Sequence, residues 1–238
     1  MAENRQPPDG VARQLLGQGH KFIHVDMDSY FVAVELLDAP WLRERPVAVG
    51  GKATDRGVIS TSNYIARRYG VRSGMATATA ERLCPGLVLL PVRFERYEAV
   101  TRRLDVIFRR YTSNVEFLSL DEATLDVTGQ VYCNGSATYM ANRIRASIEQ
   151  KLHLTASAGV APLKYLAKMA SEVNKPNGQF VIAPHQVQAF LKNLDIRKIP
   201  GVGPKTWAVL QALGCTKCAD VTDEMIPCLL YTSPSPRD

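Results

Sequence analysis

The chain has 238 residues, 46% of them hydrophobic, enough for one large domain or two ordinary ones around a substantial core. Its longest apolar runs, residues 31–37 and 87–91, fall far short of the roughly 20 residues of a membrane-spanning helix, and residues 1–20 lack the apolar core of a secretion signal, so the expectation is a cytoplasmic protein with no membrane span. The net charge of +6 is uneven: residues 1–42 are net −3, residues 43–110 net +8 and residues 111–238 net +1, so a polyanion partner, if there is one, meets the arginine-rich middle stretch.

After a polar arm over residues 1–20, the apolar side chains of Phe22, Ile23, Val25 and Met27 predict a strand over residues 21–27. A helix follows over 30–37. Strands are predicted over 47–51 and 57–61, then a short helix over 63–69 closed by Gly70, and another over 77–83 stopped by Cys84-Pro85-Gly86. From 94 to 111, Tyr97, Val100, Leu104, Ile107, Phe108 and Tyr111 recur at three- and four-residue steps, which predicts a long amphipathic helix. A hairpin comes next, with arms 115–119 and 123–127 and Asp121-Glu122 near its bend. A second amphipathic helix over 137–152 leads to a strand over 155–160, a helix opened by Pro162 and running to 173, and a strand over 179–182. With residues 30–93 removed, the order is strand, helix, strand, strand, helix, strand. That is the ferredoxin-like order, so the fold class is α+β with an inserted subdomain. Beyond Pro184 the elements are short helices, two of them joined by the glycine turn of residues 199–205.

Five cysteines, scattered apart from Cys215 and Cys218, argue against a disulfide framework. That pair has zinc-ligand spacing but no partner pair, and reads as two small apolar residues. The carboxylates are more telling. Asp26 and Asp28 stand two apart in an otherwise apolar segment, and an unpaired carboxylate there needs a cation or hydrogen-bond donors. Asp121 and Glu122 repeat the problem at the hairpin bend. In a ferredoxin-like sheet the first strand neighbours this hairpin, which brings Asp26 and Asp121 together. A cluster of oxygens with few His or Cys nearby favours Mg²⁺ or Mn²⁺ over zinc. By pattern alone, strand-end acids paired with arginines remain an open alternative.

The segments His24-Val-Asp26-Met-Asp28-Ser-Tyr-Phe31, Gly57-Val-Ile-Ser-Thr-Ser-Asn-Tyr64-Ile-Ala-Arg67, Ser119-Leu-Asp121-Glu122-Ala, Thr155-Ala-Ser-Ala-Gly-Val-Ala161 and Asn174-Lys175-Pro-Asn-Gly178 resemble, in order and spacing, those of the Y-family DNA polymerases. The resemblance runs from about residue 21 to about residue 220. It implies a ferredoxin-like palm (residues 21–29 and 94–183), inserted fingers (30–93) and a partial helix-hairpin-helix thumb (184–221). It implies template-directed addition of deoxynucleoside triphosphates to a primer 3′ end in DNA damage tolerance, with two Mg²⁺ ions, or Mn²⁺, on Asp26, Asp121, Glu122 and the Met27 carbonyl. Asp28 is read as supportive only. By the same resemblance Thr61, Tyr64, Arg67 and Lys175 grip the triphosphate, Phe31 stacks on the sugar and excludes a 2′-hydroxyl, and Gly201, Gly203 and Lys205 take a DNA phosphate. The partners implied are primer–template DNA and nucleotides, met by a monomer. Residues 222–238 match nothing in the family. Its little-finger domain and sliding-clamp-binding tail are not recognised here, so the expectation is a weak DNA grip. Two other readings fit less well: a DNA-binding module without catalysis leaves the carboxylate cluster without a role, and a metal-dependent nuclease gives no reason for Phe31, Tyr64 and Arg67.

Overall fold

The computed structural model describes residues 19–199 and 201–221. A five-stranded sheet is built from β1 (Phe22–Met27), β5 (Val115–Phe117), β6 (Glu122–Asp126), β7 (Ala156–Ala161) and β8 (Gln179–Val181), in the order β5-β6-β1-β7-β8. Its first four strands have the ferredoxin-like arrangement expected from the chain order, antiparallel throughout, and β8 adds a parallel edge beside β7.

Alternation along β1 divides the molecule. Ile23, Val25 and Met27 point into the main core, against the apolar stripe of α4 (Phe94–Phe108) and the facing residues Met140, Ala141, Ile144 and Ile148 of α5 (Ala137–Leu152). Phe22 points the other way, into a second cluster with Leu166, Ala167, Met169 and Ala170 of α6 (Lys164–Val173). His24 and Asp26 share that second face, so α6 passes over the strand that carries them. α6 lies unusually close, because a Cβ at Gly159 of β7 would come within 1.9 Å of the Ala167 carbonyl oxygen and 2.4 Å of the Ser171 nitrogen.

The insert between β1 and α4 opens with α1 (Tyr30–Asp38) and holds a three-stranded sheet ordered β3-β2-β4, from β2 (Val47–Gly50), β3 (Ile59–Ser62) and β4 (Val88–Leu90), with α2 (Tyr64–Arg68) and α3 (Thr77–Leu83). The short strand β4, parallel to β2, has no counterpart among the predicted elements, because the four apolar residues between Gly86 and Pro91 carry too little pattern. β2 joins two cores: Val47 and Val49 belong to the main cluster together with α1, while Ala48 joins Ile59, Ala66, Val71, Ala80 and Cys84 in a separate one. The insert therefore rests on the ferredoxin-like sheet through α1 and is not a loosely tethered lobe.

At the C-terminal end, α7 (Val187–Asn193) packs toward α6, and α8 (Pro204–Ala212) closes a small cluster of Ile196, Leu210 and Cys215. Cys215 is thus a core residue, as its apolar reading has it. Pro200, residues 1–18 and residues 222–238, with the arm, tail and part of the glycine turn read there, lie outside the described residues. Among the described residues no helix is long and apolar enough to cross a membrane. The chain is α+β, a ferredoxin-like palm with inserted fingers and a partial helix-hairpin-helix thumb.

Candidate active site

The register of β1 against β6 places Asp26 directly opposite Glu122, and against β7 opposite Ser157. The loop before β6 is fixed from two sides: Thr101 of α4 donates to the Leu120 carbonyl at 2.7 Å, and the Met27 amide donates to the Asp121 carbonyl at 2.9 Å. Asp121 is therefore held beside the end of β1. Its carboxylate accepts a 2.5 Å hydrogen bond from the Ser119 hydroxyl and is not part of the group that His24, Asp26 and Glu122 form among the described residues, with one atom of each within 4.8 Å of the others. The expected trio is brought to one corner of the sheet, with Asp26 and Glu122 face to face and Asp121 alongside.

The counter-charges differ from the arginines considered for these acids. Lys175 Nζ lies 2.7 Å from Asp26 and 2.6 Å from Glu172, and Lys168 of α6 contacts Glu122. Burial pushes the Asp26 carboxyl up to about 7, against the opposing pull of Lys175. Burial also raises Glu122, but Lys168 and His24 outweigh it and hold that carboxyl below its ordinary range. His24, absent from the residues singled out in the sequence, is fully buried beneath the pair, and burial depresses its pKa to about 4. Its Nδ1 is 2.9 Å from the Thr124 hydroxyl; its Nε2 is 3.4 Å from Glu122, longer than a normal hydrogen bond. His24 thus sits with one ring nitrogen on the Thr124 hydroxyl and the other facing Glu122, at the back of that carboxylate. Its position two residues before Asp26 on one strand face was the available signal.

Asp28 lies one residue beyond the end of β1. Its buried carboxylate accepts from the Ser157 hydroxyl and the Asn177 amide, both at 2.8 Å, so it is satisfied by donors. Met27 places its side chain in the core and its backbone between Asp26 and the bend.

The other expected residues lie on α1, β3 and α2 of the insert and in the turn after α6. Phe31 of α1 stacks on Tyr97 with ring centroids 4.2 Å apart and planes 10° from parallel. Tyr97 is fixed in turn by its hydroxyl on buried Glu35 at 2.8 Å, and Glu35 also takes a fork of bonds from Arg93. Thr61 lies on β3 opposite Val49. Tyr64 opens α2 behind the Asn63 cap, with Arg67 4.7 Å over its ring. The Tyr64 hydroxyl is buried without a hydrogen-bond partner among the described residues, and burial, then the charge of Asp28, raises its pKa. The charges of Lys175 and Asp26 also act on it, so Tyr64 of α2 faces the acidic corner. An orphaned hydroxyl, a guanidinium and an ammonium beside two carboxylates match an anionic group carried with cations.

The other expected contacts are less concentrated. Gly201, Gly203 and Lys205 are exposed, Gly201 with φ +94°, and the first turn of α8 begins at Pro204 with amides free of intrahelical acceptors. They lie at and just before the start of α8. Several of the arginines in residues 43–110 are already engaged: Arg93 and Arg96 pair with Glu35 and Asp38, and Arg109 with Asp105. The positive stretch is thus only in part a free phosphate-binding surface.

A mixed sheet domain of ferredoxin-like order, carrying an inserted lobe and an acidic corner at the end of its first strand, defines the class. Residues 25–172 match the impB/mucB/samB family and residues 185–214 the IMS family HHH motif, and the chain belongs to the impB/mucB/samB family. It is 61% identical over 201 residues to DNA polymerase IV of Pectobacterium atrosepticum and 58% identical over 201 residues to that of Shigella flexneri. Each alignment covers 84% of this chain and 57% of the relative, so the chain spans less than two thirds of the length of these relatives. Among solved structures, the crystal structure of DinB from Sulfolobus solfataricus superposes with a TM-score of 0.82 at 34% identity, over 89% of this chain and 63% of that one. The insertion ternary complex of Dbh DNA polymerase superposes with a TM-score of 0.77 at 36% identity, over 83% and 58%.

Proposed function

We propose that the chain carries the catalytic part of a translesion DNA polymerase, adding deoxynucleotides to a primer 3′ end on a DNA template. The observation that carries this reading is the Asp26–Glu122 pair, in register across two strands, with Asp121 held beside it, Lys175 on Asp26 and Tyr64 within reach of both charges. Similarity to DNA polymerase IV and to a polymerase ternary complex supports it. On this reading Asp26, Asp121, Glu122 and the Met27 carbonyl hold two Mg²⁺ ions, for which Mn²⁺ can substitute, and these would activate the attacking 3′-oxygen and neutralise the departing pyrophosphate. Thr61, Tyr64, Arg67 and Lys175 hold the triphosphate, and the Tyr97-backed ring of Phe31 closes the space beside C2′ of the sugar. Residues 30–93 act as fingers, 21–29 with 94–183 as palm and 184–221 as part of the thumb, where Gly201, Gly203 and Lys205 take a DNA phosphate without reading sequence. Damage tolerance is the setting, with a sliding clamp as a partner of the longer relatives.

Primer extension with Mg²⁺ tests the proposal. The chain is expected to lengthen a primer by the nucleotide complementary to the template; a nuclease shortens it and a binding module leaves it unchanged. Phe31→Ala should raise ribonucleotide insertion relative to deoxynucleotide insertion, and an unchanged ratio removes Phe31 from the site.

The Asp26 carboxyl sets a pH dependence. It is a ligand only when deprotonated, so a proton competes with the metal at and below its pKa of about 7. Mn²⁺ affinity should therefore fall about tenfold from pH 8 to pH 6. Calorimetric titration of the chain with Mn²⁺ at the two pH values checks this, and Asp26→Asn should flatten the dependence. Equal affinities at both values in the unaltered chain contradict it.

A further inference from the structure

We propose that Asp28 and Arg145 are positioning residues, which together clamp the turn between α6 and β8 and thereby set Lys175 against the nucleotide phosphates. The proposal rests on the reading of Lys175 as a phosphate-binding residue. The two residues come from different elements, the end of β1 and α5, and meet at Asn177. Asp28 is 4% exposed and tied at three points: its amide donates to the Thr155 carbonyl at 3.1 Å, and its two carboxylate oxygens accept from the Ser157 hydroxyl and the Asn177 amide. Arg145 projects from α5. Its Nε donates to the Ala156 carbonyl at 2.8 Å, and one Nη2 donates to both the carbonyl and the side-chain oxygen of Asn177.

Asn177 is therefore held by its amide, its carbonyl and its side chain, two residues after Lys175. The turn has little freedom on its other side either, since a Cβ at Gly178 would lie 1.8 Å from the Asn174 carbonyl oxygen. The chain spends a buried carboxylate and a guanidinium on a short surface turn that packs no large apolar side chain. The only group of the turn that reaches the acidic corner is the Lys175 ammonium, on Asp26 at 2.7 Å. A long, flexible lysine gains accuracy only if its backbone is fixed, and a displacement of about 1 Å at such a group can cost up to about a hundredfold in rate. The second aspartate of the Asp26-Met-Asp28 segment thus acts on the nucleotide end of the site, while the first acts on the metal end.

A double-mutant cycle on single-nucleotide addition by the full 238-residue chain tests this. Arg145→Ala should raise KM for the incoming nucleotide about tenfold with a much smaller change in kcat. Asp28→Ala should do the same, and Asp28→Asn, which can still accept from Asn177 and donate to Ser157, should restore most of the loss. In a Lys175→Ala background, Arg145→Ala should have no further effect on KM. If Lys175→Ala itself leaves KM unchanged, the phosphate role of Lys175 falls and the clamp with it. If Lys175→Ala raises KM but Arg145→Ala raises it equally in both backgrounds, the clamp alone is overturned. Should Asp28→Ala fail to fold, Arg145→Ala, on a partly exposed residue, decides the matter.

Discussion

Glu122→Gln is expected to lower nucleotide addition about a thousandfold or more while the protein still folds and melts close to the unaltered chain. Gln keeps the shape of the side chain and removes its charge. The proposed ions depend on that charge, and a loss of about 4 kcal/mol of transition-state stabilisation corresponds to a thousandfold in rate. The fold depends on it far less, because Glu122 and its partner Lys168 both keep solvent contact, and pairs of that kind contribute about 1 kcal/mol or less. His24 beneath stays neutral and can donate to a Gln oxygen as it faces the carboxylate now. Single-turnover primer extension with Mg²⁺, alongside a thermal melt, makes the comparison. Addition within tenfold of the unaltered chain removes Glu122 from the catalytic set.

Gly159→Ala should cost about 3 kcal/mol or more of stability and disorganise the site together with the fold. The added Cβ would lie 1.9 Å from the Ala167 carbonyl, 2.4 Å from the Ser171 nitrogen and 2.8 Å from the Ala170 Cβ, two of them backbone atoms that cannot rotate away. Helix α6 must then lift from β7. It carries Lys168 and leads directly into Lys175, so both ammonium groups move away from Glu122 and Asp26. Gly86→Ala is the control, since nothing lies within 4 Å of a Cβ there and stability should change by about 0.5 kcal/mol or less. Urea denaturation of the three proteins measures the difference. Equal midpoints for the two variants contradict the close approach of α6.

The ferredoxin-like order could be read in the sequence because each of its elements is long or strongly periodic: α4 through Tyr97 to Phe108, α5 through its apolar stripe, β1 through Ile23, Val25 and Met27. The neighbourhood of Asp26 and the Asp121-Glu122 bend followed from that order. What a linear reading missed was what crosses between elements. Lys168 and Lys175, from a helix and the turn after it, supply the counter-charges that arginines were considered for, and periodicity says nothing about which helix covers which sheet face. The strand β4 is three residues long and is defined by its pairing with β2, not by its own composition. Asp28 could be recognised as a residue needing donors, but the donors lie 129 and 149 positions away, at Ser157 and Asn177. The arginine-rich stretch seemed more available than it is because its acidic partners Glu35 and Asp38 precede it.

The most direct test of the central claim is a crystal structure of the chain bound to primer–template DNA and a non-reactive nucleotide analogue, grown with Mn²⁺ and recorded for anomalous scattering. The account predicts two manganese peaks among Asp26, Asp121, Glu122 and the Met27 carbonyl, with the triphosphate along Thr61, Tyr64, Arg67 and Lys175 and the sugar against Phe31. Manganese bound elsewhere, with Lys168 and Lys175 still on Glu122 and Asp26 and the nucleotide away from this corner, would contradict it.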